Sequence, residues 1–419
     1  MLLARVVDAS GEVASTRSRK AKVEVLARCL AEADAEELPV VASWLAGSLR
    51  QRRTGVGWRS LSTVPSAAPE ATLEVSEVDG EFESMSRLGG AGSTSVRAAA
   101  LKTLLGAATD AEQTWLRGAI TGEVRQGALD ALLQEAIALA TGIPLKVVRR
   151  AAMLAGSTPE VAPIAFSEGE TGLTKITLSV GRPIQPMLAS SAPSVAAALE
   201  KVGPGPVSVD AKLDGIRIQV HRDGAEVRVA SRSLDDITAR LPHVVTLVRS
   251  FPANQFVLDG EALAMHADGR PRAFQETASL TAQGSDVEIS AYFFDLLHLD
   301  GADLLDQPGS ARTAALDQLV PVAHRIKRLV TDDPVAAQRF FEDTVASGHE
   351  GVVVKSLSAA YDAGRRGAAW VKVKPVHTLD LVVLAVEEGS GRRKGWLSNI
   401  HLGARDPESG GFVMLVKTF

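Results

Sequence analysis

Residues 208–217 read Ser208-Val-Asp-Ala-Lys-Leu-Asp-Gly-Ile-Arg217, which places Lys212 two residues before an Asp-Gly pair. Residues 218–230 then alternate apolar and polar side chains around a second Asp-Gly pair, and this pattern predicts a β-hairpin. Lys212 is therefore expected at the mouth of a strand pair, where Gly215 lets the backbone approach a ligand closely. Taken alone, such a lysine is a charged contact, a surface residue or a nucleophile.

Four later apolar runs, each of which reads as a strand, carry lysines, arginines, carboxylates or aromatic side chains. In chain order they are Leu258-Asp-Gly-Glu261, Tyr292-Phe-Phe-Asp-Leu-Leu297, Glu350-Gly-Val-Val-Val-Lys355 and Trp370-Val-Lys-Val-Lys374, and Ser231-Arg232 ends the hairpin before them. The order and spacing of these motifs resemble the covalent nucleotidyltransferases, and specifically the ATP-dependent DNA ligases. The resemblance covers the chain from about residue 10 to the end.

Length and composition are those of an ordinary soluble protein with two to three domains, since 46% of the 419 residues are hydrophobic and 23% are charged. No apolar run reaches the ~20 residues of a membrane span, and the N-terminal residues lack a signal-peptide core. The single cysteine, Cys29, excludes an internal disulfide framework and a cysteine-rich zinc site, and its apolar helical surroundings predict burial. With the resemblance, these features predict a cytoplasmic, nucleoid-associated bacterial protein with no membrane partner.

The charge of the whole chain says little about nucleic-acid binding. The net charge of −5 excludes a chain that is basic throughout, but DNA binding needs only a local basic stripe. Aromatic residues make up 4% of the chain, so stacking platforms for single strands are not favoured.

The N-terminal region predicts helices. Apolar residues recur at helical spacing in residues 10–50, 93–120 and 132–166, and residues 167–181 read as a linker. Residues 121–128 carry two glycines beside an arginine and a glutamine, which exposes backbone N–H groups and suits phosphate contact. The region resembles the DNA-binding domain of ATP-dependent ligases, whose helices grip the minor groove around a nick. The candidate phosphate contacts, each of which is otherwise a solvated surface charge, are Arg17, Arg19, Lys20, Arg125, Arg149 and Arg150.

The resemblance implies a multidomain fold. It consists of an all-α DNA-binding domain over residues 1–175, an α+β and mainly antiparallel nucleotidyltransferase domain over residues 176–376, and an incomplete OB-fold β-barrel over residues 377–419. The last part has only 43 residues, fewer than the five strands of an OB-fold need, and the family's last motif, Arg-x-Asp-Lys, is absent from it. We therefore expect a C-terminally shortened ligase, weak in its own adenylation and better at sealing nicks that are already adenylated.

The resemblance makes Lys212 the catalytic nucleophile, which takes AMP from ATP to form a lysine–AMP phosphoramidate. Attack needs the neutral amine, whereas the pKa of a free lysine is near ~10.4. Partial burial and neighbouring cations lower that pKa. AMP then passes to the 5′-phosphate of a nick in double-stranded DNA, and the 3′-hydroxyl attacks and releases AMP. The expected active form is a monomer that closes around the DNA.

The remaining motif residues are expected to bind the nucleotide. Guanidinium groups suit ribose and phosphate oxygens, and alternating lysines face one side of a strand, toward the α-phosphate. The resemblance assigns Phe294 to stacking on adenine and Asp210 to the adenine amino group, although the family usually has a glutamate at that position. The predicted nucleotide-binding residues are Asp210, Arg217, Arg232, Glu261, Phe294, Arg366, Lys372 and Lys374.

Two glutamates, Glu261 and Glu350, are the predicted ligands of Mg²⁺ (or Mn²⁺), directly or through water. Each carboxylate has a glycine beside it at a strand end, and Mg²⁺ takes few protein oxygens and keeps several waters. The alternative is a turn carboxylate on a hairpin, which is the interpretation favoured for Asp259.

Three other functions share part of this pattern. NAD-dependent ligases have the lysine motif but also a cysteine zinc module, which one cysteine cannot build. An RNA ligase or capping guanylyltransferase shares the motifs, but the large helical region favours duplex DNA, and Phe294 with Asp210 favours adenine. A non-catalytic or step-3-only nick-binding protein is favoured by the short C-terminal part and opposed by the complete set of lysines and glutamates. The expected function is therefore an ATP-dependent DNA ligase in DNA repair, replication or recombination.

Overall fold

The computed structural model describes residues 1–51, 54–124, 130–266, 270–283, 289–362, 366–376, 378–389 and 393–418. The chain divides into two compact units, Met1–Val373 and Lys374–Phe419. Across these described ranges, no helix is long and apolar enough to cross a membrane.

The N-terminal part of the first unit consists of helices packed around one apolar core, as the helical spacing predicts. The core includes Val6, Leu30, Trp44 and Phe82, and the Trp44 and Phe82 rings meet edge to face at 6.3 Å. Cys29 is buried in this core, where burial raises the pKa of its thiol to about 12, so its predicted burial is confirmed. The helices are α1 (Leu3–Ser15), α2 (Arg19–Glu32), α3 (Leu38–Leu45), α4 (Val75–Arg87), α5 (Ser93–Ala107), α6 (Asp110–Thr121), α7 (Asp130–Thr141), α8 (Leu145–Ala155) and α9 (Thr158–Thr174).

Local sequence signals explain several of the helix ends. Ser18 caps α2 by accepting a hydrogen bond from the Ala21 N–H, and Thr109 with Glu112 forms a capping box at the start of α6. Gly122 ends α6 in the left-handed region, with φ of 69°. Helix α9 continues to Thr174, so the prediction that a linker begins at residue 167 is wrong for its first half.

The rest of the first unit contains two sheets with helices against them, which confirms the predicted α+β, mainly antiparallel architecture. The strands are β1 (Leu188–Ser191), β2 (Val207–Lys212), β3 (Ile216–Asp223), β4 (Glu226–Ser231), β5 (Gln255–Ala264), β6 (Ile289–Leu299), β7 (Ala302–Asp303), β8 (Arg328–Thr331), β9 (Gly351–Ser356) and β10 (Arg366–Val373). The helices are α10 (Val195–Val202), α11 (Pro242–Arg249), α12 (Phe274–Gln283), α13 (Gly309–Leu319) and α14 (Pro334–Ala346).

The strand order places β2 and β5 inside their sheets. One sheet runs β1-β10-β9-β2-β8 and the other β4-β3-β5-β6-β7, and only the β1–β10 pair among these described strands is parallel. The predicted hairpin is β3–β4, whose turn contains Gly224 with φ of 58°. In the first sheet, alternate valines such as Val209 and Val354 pack against α10 and α14. The intervening residues of β2, Ser208, Asp210 and Lys212, therefore lie on the opposite face.

The second unit contains an antiparallel sheet in the order β11-β12-β13 (Val382–Glu388, Leu397–Arg405, Phe412–Thr418). Glu387 accepts hydrogen bonds from Asn399 and Lys417 across this sheet.

Candidate active site

Lys212 lies at the end of β2, in the interior of the first sheet. Its backbone pairs with Gly351 of β9, and its carbonyl accepts a hydrogen bond from the Glu350 N–H at 3.1 Å. The Nζ of Lys212 contacts Oε2 of Glu350, and both side chains are 22% exposed. The fold thus brings a lysine and a carboxylate that are 138 residues apart in sequence into contact at one strand end.

The environment of Lys212 lowers the pKa of its amine. Burial lowers the pKa of Lys212 below that of a free lysine. Glu261 and Asp214 raise this pKa and Arg232 lowers it, so the net direction follows burial. A larger neutral fraction near pH 7 makes the amine a better nucleophile.

Gly215 is packed against strand β5. A Cβ at this position would collide with the carbonyl oxygen of Ala262 and with Cβ of Leu263. The close approach of β5 therefore already requires a glycine at position 215. This close approach also brings the Gly215 N–H to 3.2 Å from Oε1 of Glu261.

Glu261 lies on β5 between Arg217 of β3 and Tyr292 of β6. Burial raises the pKa of its carboxyl to about 7, although Arg217, Lys212 and the N–H of Gly215 favour the ionised form. At neutral pH this carboxyl is poised to bind or release a proton or to accept a cation as a ligand.

Two carboxylates beside one lysine form the donor set available for a metal. Among the described residues, no group of three or more His, Cys, Asp or Glu side chains is arranged to hold a metal ion. Mg²⁺ does not need such a group, because one or two carboxylates, waters and substrate phosphates complete its shell. Glu261 and Glu350 fit that pattern.

Arg217 is held by a buried network that the sequence did not predict. Its Nε and Nη2 donate to the two oxygens of Asp259 at 3.0 and 2.6 Å, and its Nη1 donates to the Met187 carbonyl at 2.8 Å. The Tyr361 hydroxyl also donates to Asp259, at 2.8 Å, and accepts from the Met187 N–H. Burial lowers the pKa of Arg217, but Asp259 outweighs it and raises that pKa above its ordinary value. Asp259 lies inside β5, so its interpretation as a turn carboxylate is wrong.

Phe294 is half-buried on β6, whereas its neighbour Phe293 is fully buried in the core. The Phe294 and Trp370 rings meet edge to face at 6.0 Å, and the Arg217 guanidinium lies 5.5 Å from the Phe294 centroid. The ammonium of Lys355 lies over both rings, at 4.6 Å from Phe294 and 4.3 Å from Trp370. Trp370 is buried.

Asp210 is buried beneath these rings and is paired with Arg328 and Lys355. Burial raises the pKa of its carboxyl, but the two cations outweigh this and hold it at about 2. Lys355 is the last residue of the motif that begins at Glu350. The alternation of side chains along this strand could have predicted which face of the sheet Lys355 occupies. Arg328 belongs to none of the motifs, and only the pairing of β2 with β8 brings it to Asp210.

The other predicted nucleotide contacts occupy different positions. Arg232 is exposed just after β4 and is close enough to Lys212 to lower its pKa. Lys372 lies on β10 opposite Val353, and its neighbours on that strand are buried valines. Lys374 belongs to the second unit. Arg366 begins β10, and its side chain is outside the described part of the structure.

The predicted DNA contacts of the helical region are partly gathered in one cluster. Glu135 of α7 binds Arg19 of α2 at 2.8 and 3.1 Å and Arg149 of α8 at 3.3 Å. Arg150 instead pairs with Asp306 at 2.8 Å. For the remaining candidates, Arg17 is exposed before α2, Lys20 pairs with Glu24 at 3.9 Å, and Arg125 is outside the described residues.

Comparison with known proteins identifies the family. A family model described as ATP dependent DNA ligase domain matches residues 186–374. A "Probable DNA ligase" of Nocardioides sp. is 62% identical over 424 residues, which cover all of this chain and 83% of that protein. The chain belongs to the ATP-dependent DNA ligase family. A "Probable DNA ligase" of Kineococcus radiotolerans is also 62% identical, over 422 residues that cover all of this chain and 84% of that protein.

A solved structure supports the same fold over nearly the whole ligase. The chain described as "Pmar-Lig_PreS3" superposes with a TM-score of 0.64 at 18% identity, covering 98% of this chain and 87% of that one. The predicted family and DNA ligase activity are thus confirmed, and ATP dependence follows from the family.

Proposed function

We propose that this ligase seals nicks with 5′-phosphate and 3′-hydroxyl ends in duplex DNA through a Lys212–AMP intermediate, in DNA repair, replication or recombination. The observation that carries the proposal is the contact of the Lys212 amine with the Glu350 carboxylate in a partly buried site that lowers the amine's pKa. A neutral amine beside a carboxylate has both the lone pair for attack and an acceptor for its proton.

In the first step, Nζ of Lys212 attacks the α-phosphorus of ATP. The P–N bond forms as the bond to the β-phosphate oxygen breaks, and pyrophosphate leaves with that electron pair. The Nζ proton passes to the Glu350 carboxylate, which the amine already contacts. A 5′-phosphate oxygen then attacks the adenylate, and Lys212 leaves as the amine with the proton returned by Glu350. The 3′-hydroxyl finally attacks the 5′-phosphorus, loses its proton to solvent and releases AMP.

The proposed nucleotide roles follow the resemblance to ligases and the chemistry of each side chain. We assign Phe294 to stacking on adenine, Asp210 to the adenine side of the site, and Arg217 to the ribose and phosphates, with Glu261 nearby. The cations that neutralise developing phosphate charge are assigned to Arg232, Arg366, Lys372 and Lys374. Positioning and charge stabilisation are what phosphoryl chemistry requires of the protein.

Glu261 and Glu350 would hold Mg²⁺ or Mn²⁺. Such an ion supplies charge stabilisation to the phosphate oxygens when it is bound. Glu261 is suited to this role because its carboxyl, whose pKa burial raises to about 7, gains from a nearby cation.

The proposed domain roles follow the order of helices and sheets along the chain. Residues 1–175 would form the DNA-binding domain, residues 176–376 the adenylation domain, and residues 377–419 the start of an OB-fold domain, with a monomer closing around nicked double-stranded DNA. The helices of the first part and the antiparallel sheets of the other two support this assignment.

Labelling with α-³²P-ATP tests the proposal. Wild type incubated with Mg²⁺ should carry a label that survives denaturing electrophoresis, and Lys212→Ala should carry none. Lys201→Ala, which removes an exposed lysine of α10, is the matched control and should label like wild type. If wild type takes no label but seals a pre-adenylated nick, the ligase acts only in the third step. Failure with both substrates, together with retained binding to nicked duplex DNA, identifies a non-catalytic nick-binding protein.

A further inference from the structure

A buried cluster joins two cations to the Asp210 carboxylate. Oδ1 of Asp210 accepts hydrogen bonds from Ser208 Oγ at 2.5 Å and Arg328 Nε at 2.8 Å, and Oδ2 lies 2.7 Å from Lys355 Nζ and 3.4 Å from Arg328 Nη2. Four donors thus occupy the roughly four acceptor positions of a carboxylate. The group assigned by sequence to the adenine amino group has its oxygens engaged inside the protein.

Among the described residues, Lys355 has more N–H donors than oxygen acceptors. Its ammonium has three N–H donors, and among the described residues it meets two oxygens, Oδ2 of Asp210 at 2.7 Å and the Phe294 carbonyl at 3.4 Å. The ammonium lies over the Phe294 and Trp370 rings. In the proposed complex, this third N–H is the donor left for a base that stacks on Phe294.

Arg328 joins the two sheets of the first unit. It binds Asp210 on β2 of the first sheet, and its Nη2 donates to the Phe294 carbonyl on β6 of the second sheet at 3.2 Å. Its side chain is 11% exposed. One guanidinium thus fixes the carboxylate that holds Lys355 and the backbone of the aromatic residue assigned to stacking.

We propose that Arg328 is a positioning residue for nucleobase selection, because it engages Asp210 and the Phe294 carbonyl and so directs an N–H of Lys355 toward ring nitrogen N1 of adenine. The inference rests on the proposed function, in which Phe294 stacks on adenine. Adenine N1 accepts a hydrogen bond, whereas guanine N1 carries a hydrogen and would face Lys355 donor to donor. A site built to hydrogen-bond one edge rejects an analogue that leaves its polar group unpaired.

Nucleotide analogues test the inference on wild type. The probes are ATP, 1-deaza-ATP, in which N1 is replaced by C–H, and purine riboside triphosphate, which lacks the 6-amino group. In Lys212 labelling, loss of N1 should raise KM about tenfold or more, and loss of the amino group less than about threefold. The reverse ranking would overturn the inference and return the base contact to Asp210.

Variants test the positioning role. Arg328→Gln should raise KM for ATP about tenfold, change kcat less than about threefold, and reduce the preference for ATP over 1-deaza-ATP; Arg328→Lys should recover part of that preference. Arg339→Gln, at an exposed arginine of α14, should match wild type. An unchanged ATP to 1-deaza-ATP ratio in Arg328→Gln, with lower kcat and melting temperature, would mean a structural role and overturn the proposal.

Calorimetric titration of the same three nucleotides tests the base contact separately from the chemistry at Lys212. The ranking of their Kd values reports the base contact even if Lys212 takes no label. Absence of labelling at saturating ATP contradicts the proposed chemistry, whereas equal Kd values for ATP and 1-deaza-ATP contradict the nucleobase inference alone.

Discussion

Two buried carboxylates of the active site differ in ionisation because they have different neighbours. Burial raises the pKa of both, but Asp210 is bound by Lys355 and Arg328, which hold its pKa at about 2. Glu261 accepts one backbone N–H and shares its nearby cations with other acids, so burial prevails and its pKa is about 7. The first carboxylate remains charged at all working pH values, whereas the second titrates near neutrality.

Glu261→Gln should therefore stabilise the fold at neutral pH while it weakens adenylation. A carboxyl whose pKa rises from 4.5 in the unfolded chain to about 7 in the fold costs stability progressively above pH 4.5, reaching about 3 kcal/mol above pH 7. Thermal melts at several pH values should show Glu261→Gln above wild type at pH 8, with the difference disappearing toward pH 4.5.

The control for this pH series is Glu200→Gln, which removes an exposed carboxylate of α10. Its melting curve should follow that of wild type across the series. A Glu261→Gln variant less stable than wild type at pH 8 would contradict the raised pKa.

At the scale of elements, local periodicity predicted the helical N-terminal region and the strands that carry the motifs. The alternation after Lys212 is the β3–β4 hairpin. What local patterns could not predict are the partners of the site residues. Arg328 is 118 residues from Asp210, and Tyr361 is 102 residues from Asp259, so strand order and register decide these contacts.

Gly215 shows how two elements constrain one position. Strand β5 is paired with both β3 and β6, so its backbone cannot yield to a methyl group at Gly215. Gly215→Ala should lower the free energy of unfolding by about 1–3 kcal/mol and reduce Lys212 labelling, because it displaces the N–H that binds Glu261. Denaturant unfolding and labelling measure the two effects.

A second glycine gives the matched control. Gly80 lies exposed in α4, with no heavy atom within 4 Å of an added Cβ. Gly80→Ala should stabilise the ligase by about 0.5–1 kcal/mol through helix propensity, with full labelling. Equal behaviour of the two alanine variants would show that β5 does not restrict Gly215.

At the scale of the whole molecule, the sequence indicated which arginines lie in the helical region but not how they are paired. Arg19 and Arg149 come from different helices and converge on Glu135. A phosphate competes with that carboxylate for the same guanidinium groups. On the expectation that Arg19 and Arg149 contact DNA phosphates, the Glu135 carboxylate would set part of the free-energy cost of binding DNA.

Glu135→Gln should strengthen binding to nicked duplex DNA and make it more sensitive to salt. Each guanidinium released to a phosphate adds about 0.9 to the slope of log K against log salt, while loss of these exposed ion pairs costs at most about 1 kcal/mol of stability. Fluorescence anisotropy with a nick blocked by a 3′-dideoxy end, at several salt concentrations, measures the slope. Glu12→Gln, which breaks the exposed Arg28–Glu12 pair, should leave it unchanged. If Glu135→Gln instead weakens binding at every salt concentration, Glu135 orders the two arginines for DNA and does not compete with it.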